Sequence, residues 1–147
     1  MRLINQFRLQ FKSTVDNVAF ARVAVAAFAS QQDYTLNDLE EIKVAVSEAV
    51  TNAIVHGYGG DEEQEVELRV SLTEDGIEIS ISDTGRGIED INTALQPAYS
   101  SDPERMGLGF VFMQSFMDKF QVESTPGEGT TVLLFKKVNY ISDGPEN

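Results

Sequence analysis

Four short stretches of this chain hold residue types whose spacing suits chemistry. The first is Ser47-Glu48-Ala49-Val50-Thr51-Asn52-Ala53-Ile54-Val55-His56. Glu48, Asn52 and His56 recur four residues apart, so on a helix they share one face. That stripe borders the apolar positions Val46, Ala49, Val50 and Ala53. A carboxylate and an amide beside a core suit a proton acceptor and a metal ligand, although an ordinary solvated helix face has the same spacing. The second stretch is Asp83-Thr84-Gly85-Arg86-Gly87. An aspartate at the end of a strand can accept a hydrogen bond from an amino group such as that of adenine. Gly85 and Gly87 let the backbone turn sharply and come close to a ligand, and a plain Asp-led turn has the same composition. The third, Arg105-Met106-Gly107-Leu108-Gly109-Phe110, opens a helix. Free N–H groups and the positive dipole end there suit phosphate, and Arg105 adds a possible charge-assisted contact. The fourth, Gly127-Glu128-Gly129-Thr130-Thr131, reads by itself as a hairpin turn.

Periodicity supplies the elements that must position these residues. Leu3, Phe7, Leu9 and Phe11 alternate with polar residues and predict a first strand. Ser13 with Asp16 predicts a capping box opening a helix that runs to about Ser30. Thr35 with Asp38 predicts a second box. Behind it Leu39, Ile42, Val46, Ala49, Val50 and Ala53 recur at helical spacing until Gly57, Gly59 and Gly60. Val66 to Leu72 and Ile77 to Ile81 alternate on either side of Asp75-Gly76, which predicts a β-hairpin with one dry face. Residues 88–106 lack periodicity and read as a long loop, of the kind that in a compact domain is usually functional or disordered. Gly107 to Met117 reads as a third helix. Phe120 to Ser124 and Thr130 to Lys137 read as a strand pair around Pro126-Gly127. Antiparallel pairs with helices on one face make an α+β fold, a two-layer sandwich.

Composition narrows the function classes. A chain of 147 residues is long enough for one domain with a real core; residues 1–141 read as that domain and 142–147 as a frayed tail. There is no cysteine, so disulfide and thiolate-metal chemistry are excluded. Eleven basic against 24 acidic residues leave a net charge of −13, which argues against direct contact with nucleic acid. The apolar run from Val18 to Ala29 contains Arg22 and is too short to span a bilayer. No signal-peptide pattern is visible, so a cytoplasmic protein with no membrane contact is expected.

Taken together and in this order, the four stretches resemble the GHKL (Bergerat) ATP-binding domain across roughly residues 35–136. Glu48 and Asn52 match its asparagine motif, Asp83-x-Gly-x-Gly its adenine motif, Gly107-x-Gly its phosphate loop and Gly129-Thr130 its last motif. The resemblance implies ATP or ADP with Mg²⁺. It implies that Glu48 takes the proton of an attacking hydroxyl, Asn52 ligates Mg²⁺, and Asp83 receives the adenine amino group with the Thr130 hydroxyl in support. It also implies that Gly107, Leu108 and Gly109 offer N–H groups to the phosphates while Arg105 steadies the γ-phosphate.

A narrower resemblance covers nearly the whole chain. Phe20-Ala21-Arg22-Val23, Glu41-Ile42-Lys43, Val46 to Ala53, His56-Gly57-Tyr58 and Phe116-Met117-Asp118 are similar to the anti-sigma F kinases of spore-forming bacteria. That family implies a homodimer that holds a sporulation sigma factor and phosphorylates a serine of an anti-anti-sigma protein. Arg22, the one charge inside an apolar run, falls at the family's partner-binding surface. Two alternatives stay open: a kinase acting on a general stress sigma factor, and a nucleotide-gated binding module with little transfer. The sequence departs from the family pattern at Arg86, where a small or apolar residue is usual, and at Met106, where serine is common. The 88–106 loop also looks about two residues short.

Overall fold

The computed structural model describes residues 2–95 and 106–140. Five strands form one antiparallel sheet in the order β1-β2-β3-β5-β4, with β1 at Leu3–Lys12, β2 at Glu65–Thr73, β3 at Gly76–Asp83, β4 at Lys119–Thr125 and β5 at Gly129–Lys137. Helices α1 (Asp16–Ala29), α2 (Leu36–Thr51), the single turn α3 (Ile91–Ala94) and α4 (Met106–Phe116) complete the fold. The predicted hairpin is present, with Thr73 opposite Gly76 and Leu72 opposite Ile77. Strict alternation on β2 and β3 sends Val66, Leu68, Val70, Leu72, Ile77, Ile79 and Ile81 into the core. They meet Val25 of α1, Ile42, Val46 and Val50 of α2, and Phe110 and Met113 of α4. A two-layer α+β sandwich results, as the sequence predicts.

The second capping box forms as predicted. The Thr35 hydroxyl accepts from the Asp38 N–H at 3.0 Å and the Asp38 carboxylate accepts from the Thr35 N–H at 3.0 Å. The first does not form. Helix α1 has Val15 at its N-cap without a side-chain hydrogen bond. Ser13 is instead fully buried and continues the β1–β2 ladder, its N–H donating to the Gln64 carbonyl at 3.0 Å. Its hydroxyl donates to the Asp61 carbonyl at 2.5 Å. Because Lys12 pairs with Glu65, the next residue is drawn into the loop before β2 and cannot turn back to cap the helix.

Two features were missed in the sequence. Asp90, within the predicted loop, caps α3 by accepting from the Thr93 N–H at 3.1 Å. More consequentially, α2 runs on as a π-helical segment over Asn52–Gly57, where the Tyr58 N–H reaches the Ala53 carbonyl at 3.0 Å. A π turn admits one residue more than an α turn, and such turns often occur at functional sites.

One buried cation ties the layers together away from this region. Lys136 Nζ donates to Glu41 Oε1 at 2.8 Å and to the Phe116 carbonyl at 2.7 Å, which joins β5, α2 and the C-terminal end of α4. Among the described residues, no helix is long and apolar enough to cross a membrane.

Candidate nucleotide site

A cavity of about 470 Å³ opens between α2 with its π extension, the turn after β3, α3 and the start of α4. Its walls include Asn52, His56, Gly57, Asp83, Gly87, Phe110 and Thr130. The size suits a small organic ligand. Sequence elements far apart in the chain therefore meet at one place.

Asp83 closes β3 and is buried, with 9% of its surface exposed. Burial pushes its carboxyl above the ordinary value, against the opposing effect of hydrogen bonds from the Gly85 and Thr130 N–H groups. The Gly85 N–H lies 2.9 Å from Asp83 Oδ1. Around it the backbone is packed too tightly for side chains. A Cβ on Gly57 would stand 2.8 Å from Asp83 Oδ1, and one on Gly85 only 2.0 Å from the Gly57 carbonyl oxygen. Gly57 reads in the sequence only as a helix terminator; here it is the surface against which the Asp83 carboxylate rests. The π turn delivers it there.

Tyr58 and Ser124 also went unrecognised in the sequence. The Tyr58 hydroxyl donates to the Glu65 carbonyl at 2.5 Å and accepts from the Thr84 N–H at 2.8 Å, which fixes the turn that carries Asp83. The Arg86 N–H donates to the Gly57 carbonyl at 2.9 Å, a second stitch between the same segments. Ser124 Oγ lies 2.8 Å from Thr130 Oγ1 and accepts from the Ile88 N–H at 2.8 Å. The Thr130 hydroxyl is thus engaged by Ser124, while Thr130 supports Asp83 through its N–H. No spacing rule exposes these contacts, because each joins residues from different elements.

At the other end of the cavity, Glu48 and Asn52 face the opening of α4. A Cβ on Gly109 would lie 2.9 Å from Glu48 Oε1, 3.3 Å from Asn52 Nδ2 and 3.5 Å from Asn52 Oδ1. Gly107, Leu108 and Gly109 form the first turn of α4, where backbone N–H groups lack helical acceptors. Asn52 Nδ2 is buried without a hydrogen-bond partner. Asn52, Asp83, Gly87 and Thr130 therefore line one cavity, with Gly85 bonded to Asp83 and Gly109 set against Glu48 and Asn52. Arg105 lies outside the described residues, as does the tail from residue 142. Arg22 is not among the residues lining the cavity: it sits on α1, and its Nη1 donates to Ser47 Oγ at 3.1 Å.

Residues 11–136 match the histidine kinase-like ATPase domain family. The chain is 46% identical over 140 residues to the anti-sigma F factor of Clostridium beijerinckii, covering 94% of this chain and 98% of that one. It is 50% identical over 135 residues to the anti-sigma F factor of Priestia megaterium, covering 90% and 92%. The chain belongs to the anti-sigma F factor family. Its domain is of the ATP-binding histidine kinase-like type. The fold also matches the crystal structure of the RsbU and RsbW domains of a Mycobacterium tuberculosis protein, with a TM-score of 0.67 at 18% identity. That match covers 92% of this chain and spans about a third (33%) of the longer one.

Proposed function

We propose that residues 1–141 form a single domain that binds ATP with Mg²⁺, phosphorylates a serine of an anti-anti-sigma protein, and in its nucleotide-bound form holds a sporulation sigma factor as a cytoplasmic homodimer. The observation that carries the kinase reading is the convergence of Glu48 and Asn52 on Gly109, beside a cavity whose far wall is Asp83. The sigma factor and the serine substrate rest on the relatives' name and on the family resemblance.

In this reading Asp83 accepts from the adenine amino group, with Gly57 and Gly85 pressing the backbone close. Gly85 and Gly87 shape the turn beneath the base, and Thr130 N–H fixes the Asp83 carboxylate. N–H groups of Gly107, Leu108 and Gly109 meet the phosphates at the positive end of α4. The side-chain oxygen of Asn52 would hold Mg²⁺, and the ion, when bound, supplies charge neutralisation of the phosphate oxygens. The Asn52 side chain, whose buried Nδ2 lacks a hydrogen-bond partner, is compatible with that role. Glu48 takes the proton of the attacking serine hydroxyl as its oxygen bonds to the γ-phosphorus. The bond from phosphorus to the bridging oxygen breaks, and ADP leaves with that electron pair. Phosphoryl transfer depends chiefly on positioning and charge neutralisation, so Glu48 is asked to act as base mainly through its placement. Arg105 is assigned to the γ-phosphate on the resemblance alone.

The test is incubation with labelled ATP, Mg²⁺ and a candidate anti-anti-sigma protein. Wild type should place label on a serine. Glu48→Gln should lose that label while retaining ATP affinity. Label on histidine, or equal transfer by Glu48→Gln, would overturn the kinase assignment. ATP binding without any transfer by the wild type would favour a nucleotide-gated module.

A further inference from the structure

Arg86 stands between Gly85 and Gly87 in the turn after β3, and its setting gives it a use. It is the one lysine or arginine among the described residues lining the cavity, in company with the carboxylates of Asp83, Glu89 and Asp90. Its main chain is pinned on both sides. The N–H donates to the Gly57 carbonyl at 2.9 Å, and the carbonyl accepts from the Gly127 N–H at 2.7 Å. Neither neighbour has room for a side chain. A Cβ on Gly85 meets the Gly57 carbonyl oxygen at 2.0 Å, and one on Gly87, where φ is +74°, meets the Thr125 carbonyl oxygen at 2.3 Å. The turn therefore presents a single side chain from a fixed point.

That side chain makes no hydrogen bond or ion pair among the described residues. Asp90 is already committed to Thr93, accepting from its N–H at 3.1 Å and its hydroxyl at 2.7 Å. The side chain is exposed and is left available to a ligand in the cavity it lines. Its anchor, Gly57, is also the residue that abuts the Asp83 carboxylate. Arg86 thus belongs to the base end of the pocket, while Glu48, Asn52 and Gly109 define the phosphate end. A guanidinium is planar and weakly hydrated, and it stacks on aromatic faces as ammonium does not.

We propose that Arg86 is an affinity-determining residue that lays its guanidinium over the exposed face of the purine and covers the base end of the bound nucleotide. The inference rests on the ATP-site reading above and adds to it a contact to the base that does not involve the phosphates.

The experiment compares wild type, Arg86→Ala and Arg86→Lys for binding of ATP, ADP, AMP and adenosine, by calorimetry or ligand-observed NMR. A stack on the base should make Arg86→Ala weaker for all four ligands by the same factor, roughly two- to fivefold for a partly exposed cation–π contact. Arg86→Lys should restore little of that loss. A loss that grows from adenosine to ATP and is rescued by lysine would mean a phosphate contact and would overturn the proposal. So would unchanged affinity in Arg86→Ala. A wild type that binds none of the four ligands would remove the nucleotide pocket itself, a failure distinct from that of Arg86.

Discussion

Gly109→Ala adds one methyl group, and the surroundings of that methyl set stability against activity. The new Cβ would stand 2.9 Å from Glu48 Oε1 and 3.3 Å from Asn52 Nδ2. These are the ends of flexible side chains, so the backbone of α4 need not move. The Glu48 carboxylate must retreat by at least about 0.6 Å to reach an ordinary separation of roughly 3.5 Å. In a helix, alanine is favoured over glycine by up to about 1 kcal/mol. For a chain of this size that corresponds to a melting temperature unchanged or raised by about 2–4 °C. Misplacing a reacting group by about 1 Å can cost on the order of 100-fold in rate. Phosphate transfer should therefore fall by roughly 10- to 100-fold in a protein no less stable than its parent. The assay pairs a thermal melt with initial rates of label transfer to serine at saturating ATP. Transfer within about threefold of wild type would refute the placement of Glu48 as base. A melting temperature lowered by more than about 5 °C would show that backbone, not carboxylate, yields to the methyl.

Other outcomes can be checked alongside. Arg22→Glu should leave ATP affinity unchanged and weaken both sigma-factor and antagonist binding by at least about tenfold, because Arg22 lies between the exposed Phe20 and Val23 on α1; pull-down or calorimetric affinities equal to wild type for both partners would dismiss that surface. Lys136→Met strands Glu41 and the Phe116 carbonyl, and should cost about 2–3 kcal/mol in a denaturant melt. The double variant Lys136→Met with Glu41→Gln should recover part of that loss, and full stability in the single variant would count against the buried tie. Asp83 gives opposite pH signs for stability and for binding. Its folded value is raised above the ordinary 3.8, so its contribution to stability is complete below 3.8 and is lost as pH rises through the raised value. Purine binding needs the carboxylate as acceptor and is lost as pH falls through that same value. The ATP-induced rise in melting temperature should accordingly shrink on acidification, and a shift flat across that range would contradict the role of Asp83.

Much of this arrangement could be read from the chain alone, and the parts that could not share a physical reason. Local signals act over a few residues. The alternation of Val66 to Leu72 and of Ile77 to Ile81, the Thr35–Asp38 box and the helical spacing of Ile42, Val46 and Val50 are all of that kind, and all appear as expected. Ser13 shows the limit. Its residue type suits a cap, but ladder pairing at Lys12 and Glu65 takes it first. The carriers of chemistry were visible because their order along the chain is a family pattern. The roles of their supports were not: Gly57 beneath Asp83 and Tyr58 on Thr84 are contacts between distant elements, and become visible only when the fold is known. The π segment leaves even less trace, since Ala53, Ile54 and Val55 suit an α-helix equally well.

That segment makes the pocket sensitive to the count of residues as well as to their identity. Asn52 enters the cavity where the π turn begins, and Gly57 meets Asp83 where it ends. If the same residues rewound to the tighter α spacing, the fold and every motif letter would remain while Gly57 moved out of phase with Asp83. The spacing between the two ends of the candidate site is thus stored as a length of chain, and one residue inserted between Ile54 and Val55 should abolish nucleotide binding while every candidate site residue stays in the sequence.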